Sequence, residues 1–496
     1  MRPLARVAVP AMVVALLMAA ACVDHFFRDE FYYLACTHHM AWGYVDQPPL
    51  SVAVLRVVRH LAGESLLALR LVAALALAGS IWLTGSVARR LGAGAFGELL
   101  AMVVMAIAPE LLAIGSFYSM NVFDLLFWTA AIRVLLEAID GGTARTWALL
   151  GLLLGIGLLN KISVLWLAAG IAAAIVLTPA RRALLTPGPY LAATIAALIF
   201  LPHVLWQIAN GWPTLEFIRN ASSEKMQSRT PLAFMAEQVM NLHPITLPIW
   251  GAGLVGLFVH PRLRRYRGLA IIYLAVAVIL IANRTSRSGY LLPAYPPLIA
   301  AGATLWESWI ERRAARAAVL AALGLAGAAT VPLALPILPT DAYVRYSAAL
   351  GVAPSTEERK ELGRLPQFFA DRQGWDAFAA QVTRAWQQLT PDEQRSAAVL
   401  AGNYGEAGAL ERLAHLPVIS GHNNYWLWGP GGRTGEILLV LTKHPERLER
   451  SFASVKNAGE IECGDCMPYE NHLGIYIVRQ IHAPLGQIWD RLKHYD

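Results

Sequence analysis

The sequence predicts a polytopic α-helical membrane protein with a small α/β domain at its C-terminal end. The first reason is composition, because 56% of the residues are hydrophobic, mean hydropathy is +0.46 and only 15% are charged. A soluble domain carries about 25% charged residues. The second reason is that long apolar runs recur up to about residue 338 and then stop. We therefore divide the chain into a membrane domain, 1–338, and a soluble domain, 339–496.

Eleven apolar runs are candidates for membrane-spanning helices, which need about 20 apolar residues each. The runs at 147–159 and 162–177 are together too long for one helix, so we predict two short helices that meet at Lys161. The complete set is 7–23, 66–88, 96–114, 122–138, 147–159, 162–177, 190–207, 244–259, 269–282, 290–305 and 314–335.

The first run, 7–23, has two interpretations. Its basic start and the small residues before Cys22 also fit a secretory signal peptide. A retained first helix is simpler, because an acidic loop and many further spans follow directly.

Arginine is distributed unevenly between the loops, which predicts the orientation. With a cytoplasmic N-terminus, alternate loops carry Arg89-Arg90 and the RLRRYR run at 262–267. Since Lys and Arg accumulate in cytoplasmic loops, the opposite loops and the C-terminal domain are predicted to be extracytoplasmic. The net charge of +7 follows from this bias and gives no reason to expect a nucleic-acid partner. High Ala and Arg usage fits a GC-rich bacterium, so we expect the inner (plasma) membrane.

The predicted first external loop, 24–64, is rich in acidic and aromatic residues. Its candidate acids are Asp24, Asp29, Glu30 and Asp46. Acidic side chains at a membrane surface are costly to desolvate and are usually functional. We expect this loop to hold a catalytic carboxylate, and polar residues at other external helix ends to converge on the same cavity.

The segment from Thr340 onward has the pattern of a soluble α/β domain. EILLVL and GIYIVR alternate like strands, 375–389 has the pattern of an amphipathic helix, and 390–393 that of a turn. Its glycine-rich piece does not fit the strand–loop–helix context of a dinucleotide site. Cys463 and Cys466 form a CxxC pair with three open interpretations: a weak zinc signal, a disulfide if the domain is external, or two unpaired structural cysteines.

Six motifs occur in an order that resembles a known family. They are DEFYY, WGYVDQPPL, GESLLALRL, FDLLFW, GLLNK and GYLLPAYPPL, and they extend over about residues 20 to 305. Together they resemble the bacterial dolichyl-phosphate-mannose-protein mannosyltransferase-like (family 39-like) glycosyltransferases, which are related to the aminoarabinose lipid A transferases. The resemblance implies the GT-C fold, a polyprenyl-phosphate sugar donor, an acceptor on the outer face of the membrane, and inversion at the anomeric carbon.

The resemblance also implies roles for particular residues. The acidic pair of the family's first loop matches Asp29 and Glu30, so that Asp29 would be the general base. A second family acid matches Asp124 in position. Gln47 stands where the aminoarabinose transferases have Lys before Pro-Pro, which leaves open the identity of the sugar and the way the phosphate is held.

The implied reaction needs one base and several cations. The acceptor hydroxyl must lose its proton in the transition state, and a carboxylate in reach contributes about 10²–10⁴ in rate. The leaving phosphate gathers negative charge, so cations should face it, and a second acid is not required. Glu30 would orient Asp29 or bind the acceptor.

Each acid has a structural interpretation as well. Asp29 also fits a helix cap, and Asp46 before Pro-Pro fits a turn. Asp124 lies inside an apolar helix, where an unpaired acid is expensive, so a functional role or a buried ion pair is expected. We predict Asp29, Glu30 and Asp124 as catalytic residues. Asp46 and Gln47 are predicted to contact the acceptor or to shape the loop.

Four residues at external helix ends are predicted to bind the donor phosphate: Lys161, Arg284, Arg287 and Tyr290. Lys161 also fits a side chain that snorkels to the surface. Arg284 and Arg287 lie in a loop predicted to be external, although arginine is expected mainly in cytoplasmic loops. Arginine binds phosphate with two parallel hydrogen bonds, and this phosphate could belong to the donor or to a lipid headgroup. Tyr290 is also typical of interface aromatics.

His243 is the predicted metal ligand. With Asp29, Glu30 or Asp124 it could hold Zn, Mn or Mg, because imidazole and carboxylate suit such ions. A structural histidine fits the sequence as well.

A transporter or lipid flippase is the alternative to a transferase. It would explain intramembrane charges such as Asp124 and Lys161. It also predicts inverted repeats, and the sequence has no internal repeat. Within the transferase class, the acceptor could be a protein Ser/Thr, a lipid or a cell-wall glycan.

Overall fold

The computed structural model describes residues 2–496, and side chains from residue 6 onward. Up to residue 338 the chain is almost entirely helical. The helices of this part are α1 (Arg2–Ala21), α2 (Arg28–Cys36), α3 (Leu50–Ala62), α4 (Leu66–Arg90), α5 (Ala95–Ile107), α6 (Pro109–Gly115), α7 (Met120–Ile139), α8 (Ala144–Asn160), α9 (Val164–Leu177), α10 (Gly188–Ala209), α11 (Pro213–Asn220), α12 (Pro231–Asn241), α13 (Leu247–Val259), α14 (Gly268–Ala282), α15 (Pro296–Trp309) and α16 (Arg313–Ala334).

Each of the eleven predicted apolar runs contains a helix. The run at 96–114 is broken before Pro109 into α5 and α6, which are bent by 69°, because proline cannot continue the hydrogen-bond pattern of the preceding helix. Within residues 2–496, three helices are long and apolar enough to cross a membrane by themselves: α4, α10 and α16. Counting each of three bent pairs as one span raises the number to six. The figure of eleven spans therefore stays a prediction.

Small residues let α13 and α15 cross with their backbones in contact. A Cβ added to Gly253 would lie 1.9 Å from the carbonyl oxygen of Leu298, and one added to Gly302 would lie 1.8 Å from that of Ile249. Such contacts are typical of helix pairs in membranes. The crossing anchors the start of α15, directly after the 3₁₀ segment Ser288–Ala294 that carries part of the candidate site.

The loop predicted at 24–64 contains the two short helices α2 and α3. In α3, Val52 and Leu55 are buried, whereas Val57 and Leu61 are exposed on the opposite side. A helix with an exposed apolar edge and basic residues suits the surface of a membrane.

The C-terminal part contains a five-stranded mixed sheet and short helices. The sheet has the strand order β2-β1-β3-β5-β4, with β1 parallel to β2 and β3, and β5 antiparallel to β3 and β4. Its strands are β1 (Ala398–Ala401), β2 (Val418–Ser420), β3 (Ile437–Thr442), β4 (Phe452–Glu460) and β5 (Gly474–Ile481). Its helices are α17 (Thr340–Ala349), α18 (Gln367–Ala370), α19 (Trp375–Trp386), α20 (Pro391–Ser396), α21 (Tyr404–Ala409), α22 (Asn424–Trp428) and α23 (Leu485–Ile488).

Several sequence predictions for this part can be compared directly with the structure. The strands predicted in EILLVL and GIYIVR are β3 and β5, and the predicted amphipathic helix is α19. The turn predicted at 390–393 is instead the start of α20, where Thr390 and Glu393 cap each other's backbone N–H. Cys463 and Cys466 are joined in a disulfide, which favours the second of their three interpretations.

The C-terminal part packs onto the first loop through α21 and α2. A Cβ added to Gly408 would lie 2.9 Å from the backbone of Phe31, so only glycine allows this approach. Phe31 itself belongs to the same buried cluster as Trp375 and Phe378. The core of the C-terminal part therefore includes a residue of α2, which fixes it against the loop predicted to be catalytic.

Candidate active site

Asp29 lies in the first turn of α2, where the first loop meets the C-terminal part. It is half-buried, and its Oδ1 accepts a hydrogen bond of 2.9 Å from Tyr404 Oη of α21. Within the described residues, no group donates to its other oxygen, Oδ2. A carboxylate with one oxygen held and the other open is suited to take a proton from a hydroxyl group.

Glu30, the next residue, is fully buried and has its acceptor positions occupied. It accepts hydrogen bonds from the backbone N–H of Phe27 and Tyr118, at 2.8 and 2.9 Å. It also accepts from Nε and Nη2 of Arg70, at 3.2 and 3.0 Å. A carboxylate offers about four acceptor positions, so none remains for a substrate. These contacts anchor α2, and the catalytic role of Glu30 stays a prediction.

Asp24 extends this anchor to the C-terminal part. Its Oδ2 lies 2.6 Å from Nη1 of Arg70 and 2.6 Å from Nη1 of Arg372, and both arginines are buried. One carboxylate thus joins the first loop, α4 and the segment after α18. Because removing one partner of a buried ion pair is strongly destabilising, this network holds α2 in a fixed place.

Asp46, predicted as a loop or acceptor residue, lies near Asp29 and is held by a tyrosine. Tyr32 Oη donates to its Oδ1 at 2.9 Å, and the Asn424 side-chain amide donates to Tyr32 Oη. Burial raises the pKa of Asp46 to about 6, against the effect of the Tyr32 hydrogen bond. Asp46 is therefore partly protonated near neutral pH.

Arg28 and Lys225 are two buried cations that the sequence prediction missed. The guanidinium of Arg28 lies 4.7 Å from the ring centre of Tyr404 and 5.4 Å from that of Tyr469. Lys225 Nζ has its nearest carboxylate, Glu358, at 3.9 Å, and burial lowers its pKa. Their position in the sequence could have identified them as candidates, since both residues lie in segments predicted to be external, where lysine and arginine are less common.

Arg287, predicted to bind phosphate, joins this cation group. Its Nη2 donates to Glu358 at 2.7 Å. The charge of Asp29 lies within electrostatic range of Arg287, and that of Lys225 within range of Glu358. In the part of the chain that the structure describes, the buried Nε atoms of Arg28 and Arg287 have no hydrogen-bond partner. Buried N–H groups without partners are costly, so this arrangement suits a bound anion such as phosphate.

Asp124 and Lys161 form a second polar group at the ends of α7 and α8. Lys161 Nζ donates to Asn121 at 2.8 Å and lies 3.7 Å from Asp124 and 4.6 Å from the ring centre of Tyr290. Ser163 donates to Asp124 Oδ2 at 2.7 Å. Asp124 is thus the partner of a lysine inside a buried network, which agrees with the buried ion pair expected for an acid in an apolar helix.

Tyr33 and Arg287 connect the two groups. Tyr33 of α2 accepts a hydrogen bond of 2.9 Å from the backbone N–H of Met120, at the start of α7. Arg287 lies within electrostatic range of Tyr290, which stands against Lys161. A chain of contacts thus connects Asp29 and Arg287 with the Lys161 group.

Two predicted residues have different surroundings. The Arg284 side chain is exposed and makes no hydrogen bond within residues 6–496, so it does not join the cation group. Gln47 is buried, and neither atom of its side-chain amide has a partner in the described chain. The structure therefore corrects the phosphate role of Arg284.

His243 does not fit the predicted metal role. Its Nδ1 accepts the backbone N–H of Ile245 at 3.2 Å, and within residues 6–496 it forms no ion pair with an acidic side chain. The one described group of three metal-type ligands with neighbouring ligand atoms is His422, His494 and Asp496.

The ring nitrogens of this histidine cluster all have polar neighbours. The backbone N–H of Tyr404 donates to His422 Nδ1 at 3.2 Å, so the proton of the neutral ring is on Nε2, 3.0 Å from the carbonyl oxygen of Asp496. Both ring nitrogens of His494 also face carbonyl oxygens, at 2.9 and 3.2 Å. A histidine needs a free lone pair to ligate a metal.

The fold defines a multi-pass membrane protein whose C-terminal part packs on the helix that carries Asp29. A family model described as "Dolichyl-phosphate-mannose-protein mannosyltransferase" matches residues 46–206. The lipid A galacturonosyltransferase RgtD of Rhizobium johnstonii is 28% identical over 229 residues, which cover 44% of this chain and 47% of that protein. The resemblance to the mannosyltransferase-like family is therefore confirmed, although the match spans about half the length of this relative.

Solved structures give the same fold. ArnT from Cupriavidus metallidurans bound to undecaprenyl phosphate superimposes with a TM-score of 0.64 at 16% identity, covering 95% of this chain and 97% of that one. The apo form of ArnT gives 0.65 at 15% identity over the same shares of the two chains. The apo oligosaccharyltransferase of Archaeoglobus fulgidus gives 0.51 at 12% identity, covering 83% of this chain and 64% of that one. The chain thus has the GT-C fold.

Proposed function

We propose that this protein is an integral-membrane inverting glycosyltransferase that moves a sugar from a polyprenyl-phosphate donor to an acceptor hydroxyl on the outer face of the membrane. The observation that carries the proposal is the half-open carboxylate of Asp29, which lies within electrostatic range of the Arg287 guanidinium. Arg287 and Lys225 share the carboxylate of Glu358, at 2.7 and 3.9 Å. A base next to an anion site is what displacement of a lipid phosphate from a sugar requires. The fold shared with ArnT, which has been solved with undecaprenyl phosphate, supports this donor class.

In the proposed reaction, Asp29 Oδ2 takes the proton of the acceptor hydroxyl while the oxygen of that hydroxyl forms a bond to the anomeric carbon. The bond from the anomeric carbon to the phosphate oxygen breaks, and its electron pair stays on the lipid phosphate. Lys225 and Arg287 would stabilise this developing charge, because charge-assisted hydrogen bonds are about twice as strong as neutral ones. Attack from the face opposite the phosphate inverts the anomeric carbon.

Lys161 and Tyr290 would hold the donor on the membrane side of the site. Lys161 carries a positive charge between two helix ends, and Asp124 keeps its ammonium in place at 3.7 Å. Asp124 is therefore proposed to position Lys161.

The orientation is proposed from the charge distribution. The N-terminus is cytoplasmic and the C-terminal part extracytoplasmic, because the arginine-rich loops lie on the opposite side from Asp29. The disulfide between Cys463 and Cys466 supports this, since disulfides persist in the oxidising periplasm.

Transfer in proteoliposomes tests the proposal. Radiolabelled polyprenyl-phosphate mannose, glucose, arabinose, aminoarabinose and galacturonate are offered with a bacterial membrane extract as acceptor source. The galacturonate donor is included because RgtD is a galacturonosyltransferase. Wild type is compared with Asp29→Asn and with Asp490→Asn, a matched exchange at an exposed aspartate without an ion pair in the described chain.

We expect wild type and Asp490→Asn to transfer one of the sugars, and Asp29→Asn to lose at least about a hundredfold in rate. Equal transfer by all three proteins would remove Asp29 as the base. No transfer by folded wild type from any donor would reject the transferase among these substrates, and donor flipping across the bilayer would then be measured.

A further inference from the structure

We propose that Tyr404, in the C-terminal part of the chain, is a positioning residue for the base Asp29, so that this part completes the active site. The inference rests on the proposed function. It adds a residue that lies 375 positions along the chain from the acid it serves.

The hydroxyl of Tyr404 has one described partner, Asp29 Oδ1, at 2.9 Å. Because Tyr404 holds Oδ1, the other oxygen of the carboxylate stays free for the acceptor. A phenylalanine at 404 would keep the ring and its packing, and would lose only this hydrogen bond.

The ring of Tyr404 is fixed from several sides, which a positioning role requires. It stacks on the ring of Tyr32 with 4.6 Å between centres, and the guanidinium of Arg28 covers it at 4.7 Å. Its backbone N–H donates to His422 Nδ1 at 3.2 Å. Asn403 begins α21 by capping the backbone N–H groups of the two residues after Tyr404.

Burial raises the pKa of Tyr404 well above its ordinary value, and the charge of Asp29 adds to this effect. The phenol therefore stays protonated, and it acts as a donor toward Asp29 at every pH of interest. Tyr404 thus holds one oxygen of Asp29 as a constant hydrogen-bond donor.

Other charged and titratable groups also face Asp29, and they belong to several elements. They are Tyr33 from α2, Asp46 from the loop before α3, Arg287 before the 3₁₀ segment, and Asp371 and Tyr404 from the C-terminal part. Within this set, Tyr404 is the described residue that donates a hydrogen bond to Asp29.

A second contact from the C-terminal part reaches the other acid of the loop. Asn424 of α22 accepts the backbone N–H of Val45 at 3.0 Å and donates to Tyr32 Oη, which in turn donates to Asp46. Two acids of the first loop are therefore held through residues of α21 and α22. The C-terminal part therefore does more than pack against the loop, because its side chains hold both acids through hydrogen bonds.

The test compares Tyr404→Phe with Tyr425→Phe in full-length protein in proteoliposomes. Tyr425 is a matched control, because its hydroxyl donates to Glu411 at 2.8 Å in the same part of the chain and does not contact Asp29. Initial rates are measured against donor concentration and from pH 4.5 to 8.5, and the melting temperature of each variant is recorded.

For Tyr404→Phe we expect kcat to fall about tenfold with the donor KM unchanged. The fall in kcat should be present throughout pH 4.5 to 8.5, because the protonated tyrosine donates to Asp29 over this whole range. Tyr425→Phe should keep the wild-type profile. Both variants should melt within a few degrees of wild type.

A Tyr404→Phe protein with wild-type kcat at every pH would overturn the inference. Wild-type transfer and an inactive Asp29→Asn would then leave the proposed function intact. The same kinetic change in Tyr425→Phe would also overturn it, since any lost tyrosine hydrogen bond would then suffice. Failure of the proposed function is seen separately, as wild type that transfers no sugar or an Asp29→Asn variant as active as wild type.

Discussion

Glu30 and Asp29 are neighbours in α2, but we expect opposite phenotypes when each is changed. Glu30→Gln should lose stability and keep activity, whereas Asp29→Asn should keep stability and lose activity. Glu30 receives four hydrogen bonds, two of them from the buried Arg70. Glutamine keeps the shape but replaces one acceptor oxygen by an NH₂ group that faces other donors. Breaking a buried ion pair in this way costs about 3–5 kcal/mol.

The expected change in melting temperature follows from the size of the protein. A chain of 496 residues that unfolds as one unit has an unfolding entropy of about 1 kcal/mol per degree, from about 2.1 cal/mol/K per residue. We therefore expect Glu30→Gln to melt about 3–5 °C below wild type. Asp29→Asn loses a charge from a half-buried side chain that can still accept from Tyr404, so its melting temperature should change by less than about 1 °C.

The assay pairs thermal unfolding in detergent with transfer rates corrected for the folded fraction. We expect Glu30→Gln to be less stable but active when folded, and Asp29→Asn to be stable and inactive. A Glu30→Gln protein with wild-type stability and no turnover would refute the structural assignment of Glu30. A large loss of stability in Asp29→Asn would show that its carboxylate serves the fold instead.

Three further predictions concern the cations, the metal and pH. Lys225→Met should raise the donor KM about 10–100-fold, because it removes a charge-assisted hydrogen bond to the donor phosphate worth about 1.5–3 kcal/mol. Lys456→Met, at an exposed lysine, is the control. An unchanged KM in Lys225→Met would contradict phosphate binding by Lys225. Since the guanidinium of Arg287 lies within electrostatic range of Asp29, EDTA should leave the transfer rate within about twofold. A loss of rate that Mn²⁺ or Mg²⁺ restores would support the predicted metal instead. Burial raises the pKa of Asp371 to about 7 from an ordinary value near 4, so stability should fall as pH rises through that window, by about 4 kcal/mol in total. Asp371→Asn should remove this pH dependence of the melting temperature, and an unchanged slope would exclude Asp371 as its cause.

The helices of the membrane part could be predicted from the sequence because their signal is local. A run of apolar side chains satisfies its backbone only as a helix when lipid surrounds it, so eleven runs gave eleven helical regions. The bend before Pro109 and the short helices α2 and α3 were not predicted. α2 carries charged residues whose partners lie in α4 and the C-terminal part, and α3 is shorter than a membrane span.

The site was only partly predictable, because its contacts connect distant parts of the chain. Asp29 could be identified from the family motif and from the cost of an acid at the membrane surface. Glu30 could not be recognised as structural, since its partner Arg70 lies 40 residues further on. One indication existed: an arginine near the start of an apolar helix needs a partner of opposite charge. No local pattern marks Tyr404 or Asn424.

The contacts around α2 argue that the C-terminal part is a fixed wall of the site and not a lid that lifts in each catalytic cycle. Lifting it would expose Phe31, which costs about 1.5–3 kcal/mol, and would separate Arg372 from Asp24 in a buried ion pair, at about 3–5 kcal/mol more. It would also remove Tyr404 from Asp29, the proposed base. If Asp29 is that base, we expect the acceptor to approach it beside the C-terminal part while this part stays in place.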